Sequence, residues 1–138
     1  MNFLEYIPKA METAKFRDND VQVTCSLFGL QGEVVELRQK LDSLMPFETD
    51  EIKKEFGDVF WYIGSLFSSL DIDALYWLSL MDVNDCNHTL DDVDLGFFGN
   101  IFELSKKTYR LGPYAEMTSP VKDYIASCLT DLYYVLEG

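Results

Sequence analysis

Gly29-Leu30-Gln31-Gly32-Glu33-Val34-Val35-Glu36-Leu37 lies inside a run whose apolar residues recur at intervals of three and four: Leu27, Leu30, Val34, Leu37, Leu41 and Leu44. That spacing places them on one stripe of an α-helix and predicts a helix over about Thr24 to Leu44, stopped by Pro46. The next stretch repeats the pattern. Ile52, Phe56, Val59, Ile63, Leu66 and Leu70 form a second stripe, so a helix is expected from Thr49 or Asp50, either of which can cap it, to about Leu70.

Working outward, the same period dominates. A helix is expected over Glu5 to Phe16, with Pro8 tolerated only in its opening turn. Arg17-Asp18-Asn19-Asp20 reads as a polar break. A short helix over Ile72 to Leu80 and an acidic loop from Asp82 to Asp94 follow. Then comes a helix over Asp94 to Leu111, stopped by Gly112-Pro113, and a last one from Ser119, with Pro120 at its first position, nearly to Gly138. No sustained alternation and no Asn-Gly or Asp-Gly hairpin turn occurs, so the fold expected is an all-α helical bundle.

The two decisive helices carry acids in matched places. Glu33 lies on the flank of its stripe with Glu36 about 60° further out; Glu55 and Asp58 repeat that arrangement on the next helix. Packed as antiparallel neighbours, the two helices would aim both pairs at one small volume. Like charges three residues apart oppose helix formation, more so when partly buried, and something must offset them. Positions four ahead of Glu33, Glu55 and Asp58 hold Leu37, Val59 and Tyr62, whereas Glu36 has Lys40 there and a surface ion pair accounts for it equally well. Carboxylate oxygens without neighbouring His or Cys suit magnesium, or manganese, better than zinc. The competing reading is of ordinary solvated acids in an acidic chain.

Size and charge narrow the function. The chain has 138 residues, enough for one domain with a real core. With 11 Lys and Arg against 24 Asp and Glu its net charge is −13, a field that repels nucleic-acid backbones and acidic membranes. A small phosphate ligand stays compatible, because a bound divalent cation inverts the local potential. Cys25, Cys86 and Cys128 are odd in number and widely spaced, so they read as reduced thiols. No basic stretch precedes an apolar run at the start, and the apolar stretch Val59 to Leu70 is shorter than the roughly 18 residues of a membrane span. A cytoplasmic location is expected, in the host if the protein is viral.

Gly29 to Leu37, followed by Ile52-Lys53-Lys54-Glu55-Phe56-Gly57-Asp58-Val59-Phe60-Trp61-Tyr62, resembles the MazG-like group of all-α nucleoside triphosphate pyrophosphohydrolases. The opening Phe3-Leu4-Glu5-Tyr6, with Ala10 and Thr13-Ala14, looks like the first helix of phage and bacterial members. The likeness covers about the first 70 residues. It implies a helical bundle that holds magnesium through Glu33, Glu36, Glu55 and Asp58 and cleaves between the α and β phosphates. It also implies a homodimer or homotetramer, and leans towards deoxynucleotides, a purine such as dGTP first. Many members carry a further glutamate just before the one matching Glu33, where this chain has Gly32. A carboxylate left partly free, Glu33 or Glu36, would act as general base. The alternatives are dUTPase-like or nucleoside-diphosphate hydrolysis, or a helical interaction module without catalysis.

One domain over 1–138 is expected, with the motifs in residues 1–81. Residues 94–138 look like a degenerate second copy: Gly96, Gly99, Glu103, Leu104 and Lys107 overlay Gly29, Gly32, Glu36, Leu37 and Lys40. Asp131-Leu132-Tyr133-Tyr134 echoes Asp58 to Trp61, putting Asn100 and Cys128 at the places of Glu33 and Glu55. Lys106, Lys107 and Arg110 are the densest basic cluster, suited either to substrate phosphates or to the C-terminal end of their helix. Trp61 suits either stacking on a base or packing on the first helix or another subunit. His88, the single histidine, lacks the Glu-x-x-His partner of a di-iron bundle.

Overall fold

The computed structural model describes residues 2–42, 49–80 and 98–137. Among these residues six α-helices run in order: α1 Phe3–Met11, α2 Asn19–Asp42, α3 Thr49–Ser69, α4 Ala74–Ser79, α5 Phe98–Leu111 and α6 Ser119–Glu137, with a 3-10 turn at Tyr114–Glu116. No strand occurs among the described residues, and the all-α expectation holds. The Asp82 to Asp94 loop, Leu44, Pro46, Cys86, His88 and Gly96 lie outside them.

Local chemistry sets the helix ends, and moves several of them from where periodicity alone puts them. Asn2 and Glu5 form a capping box: the Glu5 amide donates to Asn2 Oδ1 at 2.9 Å and the Asn2 amide to Glu5 Oε2 at 3.3 Å. The first helix therefore starts two residues before Glu5 and ends at Met11, not Phe16, and Pro8 falls inside it rather than in its opening turn. The supposed polar break is a cap. The Val21 amide donates to Asp18 Oδ1 at 2.9 Å, and α2 begins at Asn19, over a turn earlier than Thr24. At the other end of the pair, Asp71 adopts φ 55° and closes α3 in place of the usual glycine, with the Ile72 amide bonded to the Phe67 carbonyl at 2.9 Å.

Helices α2 and α3 are the spine. Ser26 faces Ser65, Gly29 faces Tyr62 and Lys40 faces Glu55, contacts that run in opposite senses along the two chains and make the pair antiparallel. Leu27, Leu30, Val34 and Leu37 from α2 meet Val59, Ile63 and Leu66 from α3 and Leu70 just past its end, all buried; Leu41, assigned to the stripe by its spacing, is exposed. Small side chains let the backbones approach: the Ser26 and Ser65 hydroxyls share a buried 2.6 Å hydrogen bond, which Gln22 Nε2 extends by donating to Ser65 Oγ at 3.1 Å.

The other helices close this core. α1 lies on α3, where Ile7 covers Gly64, and Phe3 joins Phe60 and Tyr133 with ring centroids 5.8 and 4.8 Å away. α5 contributes Phe98 and Ile101, and α6 contributes Ile125, Leu129 and Leu132. Asp20 Oδ1 accepts from the Tyr114 amide at 2.9 Å and pins the 3-10 turn to α2. The two C-terminal helices approach each other less closely than α2 and α3 do. No described helix is long and apolar enough to cross a membrane.

Candidate metal centre

The antiparallel register that sets Gly29 against Tyr62 also sets Glu33, one turn on, against Asp58 and Glu55. One carboxylate oxygen from each of Glu33, Glu55 and Asp58 lies within 4.8 Å of the others. Glu36 is on the exposed side of the same group, near enough to Glu55 to hydrogen-bond with it. The expected convergence of acids from two helices is thus found for three, with the fourth at the rim.

Glu55 and Glu33 differ sharply in electrostatics. Glu55 is only 5 % exposed. Lys40 Nζ donates to Glu55 Oε1 at 2.8 Å and holds this carboxyl below its ordinary value. Glu33 has no such cation. Partial burial, a hydrogen bond shared with Glu55, and the charges of Asp58, Glu36 and Glu55 push it up to about 7. Glu33 Oε2 and Glu55 Oε2 are buried with no donor. A proton on Glu33 relieves the part of that crowding which Lys40 does not.

Two phenols border the acids: Tyr62, one helical turn beyond Asp58 as the spacing places it, and Tyr6, which periodicity did not single out. Tyr62 and Tyr6 both have raised pKa values, through burial first and then through Glu33 and Asp58 for Tyr62 and Asp58 for Tyr6. The Tyr62 ring lies on the backbone of Gly29, where a Cβ would stand inside its van der Waals radius. A side chain there would have to push the end of the Tyr62 ring aside, which gives Gly29 a reason to be glycine.

The donor set fits a hard divalent cation. It is all oxygen and anionic, with two buried oxygens lacking donors, and neither His nor Cys takes part. Lys40, which the helical spacing paired with Glu36, is bound to Glu55 instead.

The remaining residues singled out by sequence lie elsewhere. Trp61 packs edge-on against Tyr62, centroids 5.2 Å apart, and beside Phe16 at 6.2 Å. Lys106 and Lys107 each stand 3.8 Å from Glu103 in exposed pairs. Lys106 and Arg110 line a cleft that contains none of the four acids, and Lys107 lines a different one. In the C-terminal helices, Asn100 Nδ2 donates to Tyr124 Oη at 3.0 Å. Tyr124 in turn engages Cys128, whose thiol burial pushes up to about 11. Asn100 and Cys128 are therefore linked through Tyr124.

No family model, no curated protein and no solved structure matches this chain.

Proposed function

We propose that this chain is a magnesium-dependent nucleoside triphosphate pyrophosphohydrolase, releasing a nucleoside monophosphate and diphosphate. The observation that carries the reading is the meeting of Glu33, Glu55 and Asp58 across α2 and α3 with two buried carboxylate oxygens left without donors. The motif resemblance over residues 29–62 supplies the substrate class, a deoxynucleotide such as dGTP being favoured.

Glu33, Glu55 and Asp58 would hold the ion, with Mn2+ an acceptable substitute for Mg2+. When bound, the ion supplies positive charge that neutralises the triphosphate in a chain of net charge −13. Glu36, exposed and one turn from Glu33, is the carboxylate free to orient a water and take its proton. The water oxygen forms the new bond to phosphorus as the α–β bridging P–O bond breaks, and diphosphate leaves. Tyr62 and Tyr6 border the acids and shape the space for that water. Unpaired Cys25 and Cys128 suit a reducing compartment such as the cytoplasm. Assembly as a homodimer or homotetramer belongs to the same proposal, as does descent of α5 and α6 from a second copy of the pair.

The test is diphosphate release over a panel of common nucleoside triphosphates and diphosphates with magnesium, comparing the natural chain with Glu36→Gln and Asp58→Asn. Release from triphosphates, abolished in both variants, is expected. Activity confined to dUTP or to diphosphates would change the substrate. No release, together with a melting temperature indifferent to magnesium and nucleotide, would leave a helical interaction module.

A further inference from the structure

A second cleft lies between α2 and α5. Thr24, Leu27 and Phe28 form one side and Phe102, Ser105, Lys106, Tyr109 and Arg110 the other, with Tyr114 closing an end, and it encloses about 510 Å³. That is the size of a small-molecule site. Phe28 lies about 140° round the helix from Glu33, so the cleft opens on another face of α2 from the acids.

Three independent features point to what it takes. Its walls are aromatic pairs: Phe28 meets Phe102 edge-on with centroids 5.9 Å apart, and Tyr109 stacks on Tyr114 at 5.0 Å. Phe28 is nevertheless 65 % exposed, a large apolar face left in water. Between the pairs, Ser105 is only 3 % exposed and its Oγ has no hydrogen-bond partner, a buried polar group that ordinarily finds one. At the rim, Arg110 makes no ion pair among the described residues, and Lys106 has only its loose contact with Glu103. In so acidic a chain, two cations beside an aromatic cleft are a specific arrangement.

We infer that the α2–α5 cleft binds a flat aromatic anion, its ring between Phe28 and Tyr109, a polar ring atom or hydroxyl on Ser105 Oγ, and its charge on Arg110 and Lys106. Rings favour such stacked and edge-on neighbours, and guanidinium binds phosphate or carboxylate in a bidentate manner. The site does not depend on the metal reading, since none of the four acids lines it.

Isothermal titration calorimetry in EDTA, which keeps divalent cations from the acids, tests this with adenosine 5′-monophosphate and 2-naphthoate as probes. Saturation at one molecule per chain by either probe is expected, and which one saturates identifies a nucleotide or an aromatic carboxylate as the ligand type. Phe28→Ala and Arg110→Gln, both at exposed positions, should each weaken binding about tenfold or more at unchanged melting temperature. Ser105→Ala should weaken it less. Failure of both probes to saturate in the millimolar range, or equal affinity in the natural chain and both exposed variants, would overturn the inference.

Discussion

Lys40 Nζ stands 2.8 Å from Glu55 Oε1 across the α2–α3 interface, although Glu36, one turn before it on its own helix, is the acid that helical spacing offers. A lysine placed there supplies part of the positive charge that a cluster of acids needs, and it selects the more buried carboxylate. With the proposed ion the cluster would have two states of compensation: in one, Lys40 serves Glu55 and a proton serves Glu33; in the other, the divalent ion would serve both.

Lys40→Met separates these states. Without divalent ions Glu55 loses its cation, its carboxyl rises towards that of Glu33, and the melting temperature should fall. With magnesium the ion replaces the missing charge, so the rise in melting temperature on adding magnesium should be larger than in the natural chain. Differential scanning calorimetry with and without magnesium measures both. An equal magnesium increment in the two proteins would show that Lys40 and the ion do not compete for the same carboxylates.

Gly29 and Gly32, three residues apart in one helix, should respond in opposite ways to alanine. Nothing stands within 4 Å of a Cβ at Gly32, so Gly32→Ala gains helix propensity and should stabilise by up to ~1 kcal/mol. At Gly29 the same gain meets the Tyr62 ring, and overpacking of about 1–3 kcal/mol should more than cancel it. Urea unfolding gives both values. Because the displaced ring borders the acids, Gly29→Ala should also lower diphosphate release, whereas Gly32→Ala should not.

The helices and the two stripes were legible because they rest on a local period that every packed helix must obey. Glu33, Glu55 and Asp58 were legible as a group for the same reason, since two amphipathic helices joined in sequence have few ways to pack. What the sequence hid is whatever depends on the register between elements. Lys40 reaching Glu55, Tyr62 covering Gly29, and Phe28 facing Phe102 each join residues on different helices. Helix ends were misplaced where capping overrode periodicity: Asp18 reads as a loop residue until its carboxylate is seen on the Val21 amide. Leu41 fits the stripe by spacing but sits at 49 % exposure near the end of α2, beyond the reach of the core.

Asp71 closes α3 with φ 55°, the left-handed region that costs a residue with a Cβ roughly 1–2 kcal/mol. Asp71→Gly removes that cost and adds backbone entropy to the unfolded chain, so a net gain of about 0.5–1 kcal/mol is expected. Asp71→Ala keeps the Cβ and should show no gain. Denaturant midpoints at constant slope compare the three, and a destabilised glycine variant would mean that the aspartate side chain holds the turn.

The pH dependence of stability follows from Glu33 and Glu55 with opposite signs in different windows. Glu33 is raised in the folded protein to about 7, so its contribution is fully present below the ordinary carboxylate value and is lost as pH rises through about 7. Glu55 is lowered, so its contribution is present above the ordinary value and is lost only as pH falls below it. Between pH 5 and 8 without divalent ions, Glu33 should therefore make the protein less stable as pH rises, and Glu33→Gln should flatten that fall. Magnesium bound as proposed would displace the Glu33 proton, so its affinity should climb with pH by up to about tenfold per unit below pH 7 and level off above it. Melting temperatures at pH 5.5 and 8 with and without magnesium measure the coupling. A magnesium increment as large at pH 5.5 as at pH 8 would mean that Glu33 is not a ligand, and would move the ion away from the α2–α3 acids.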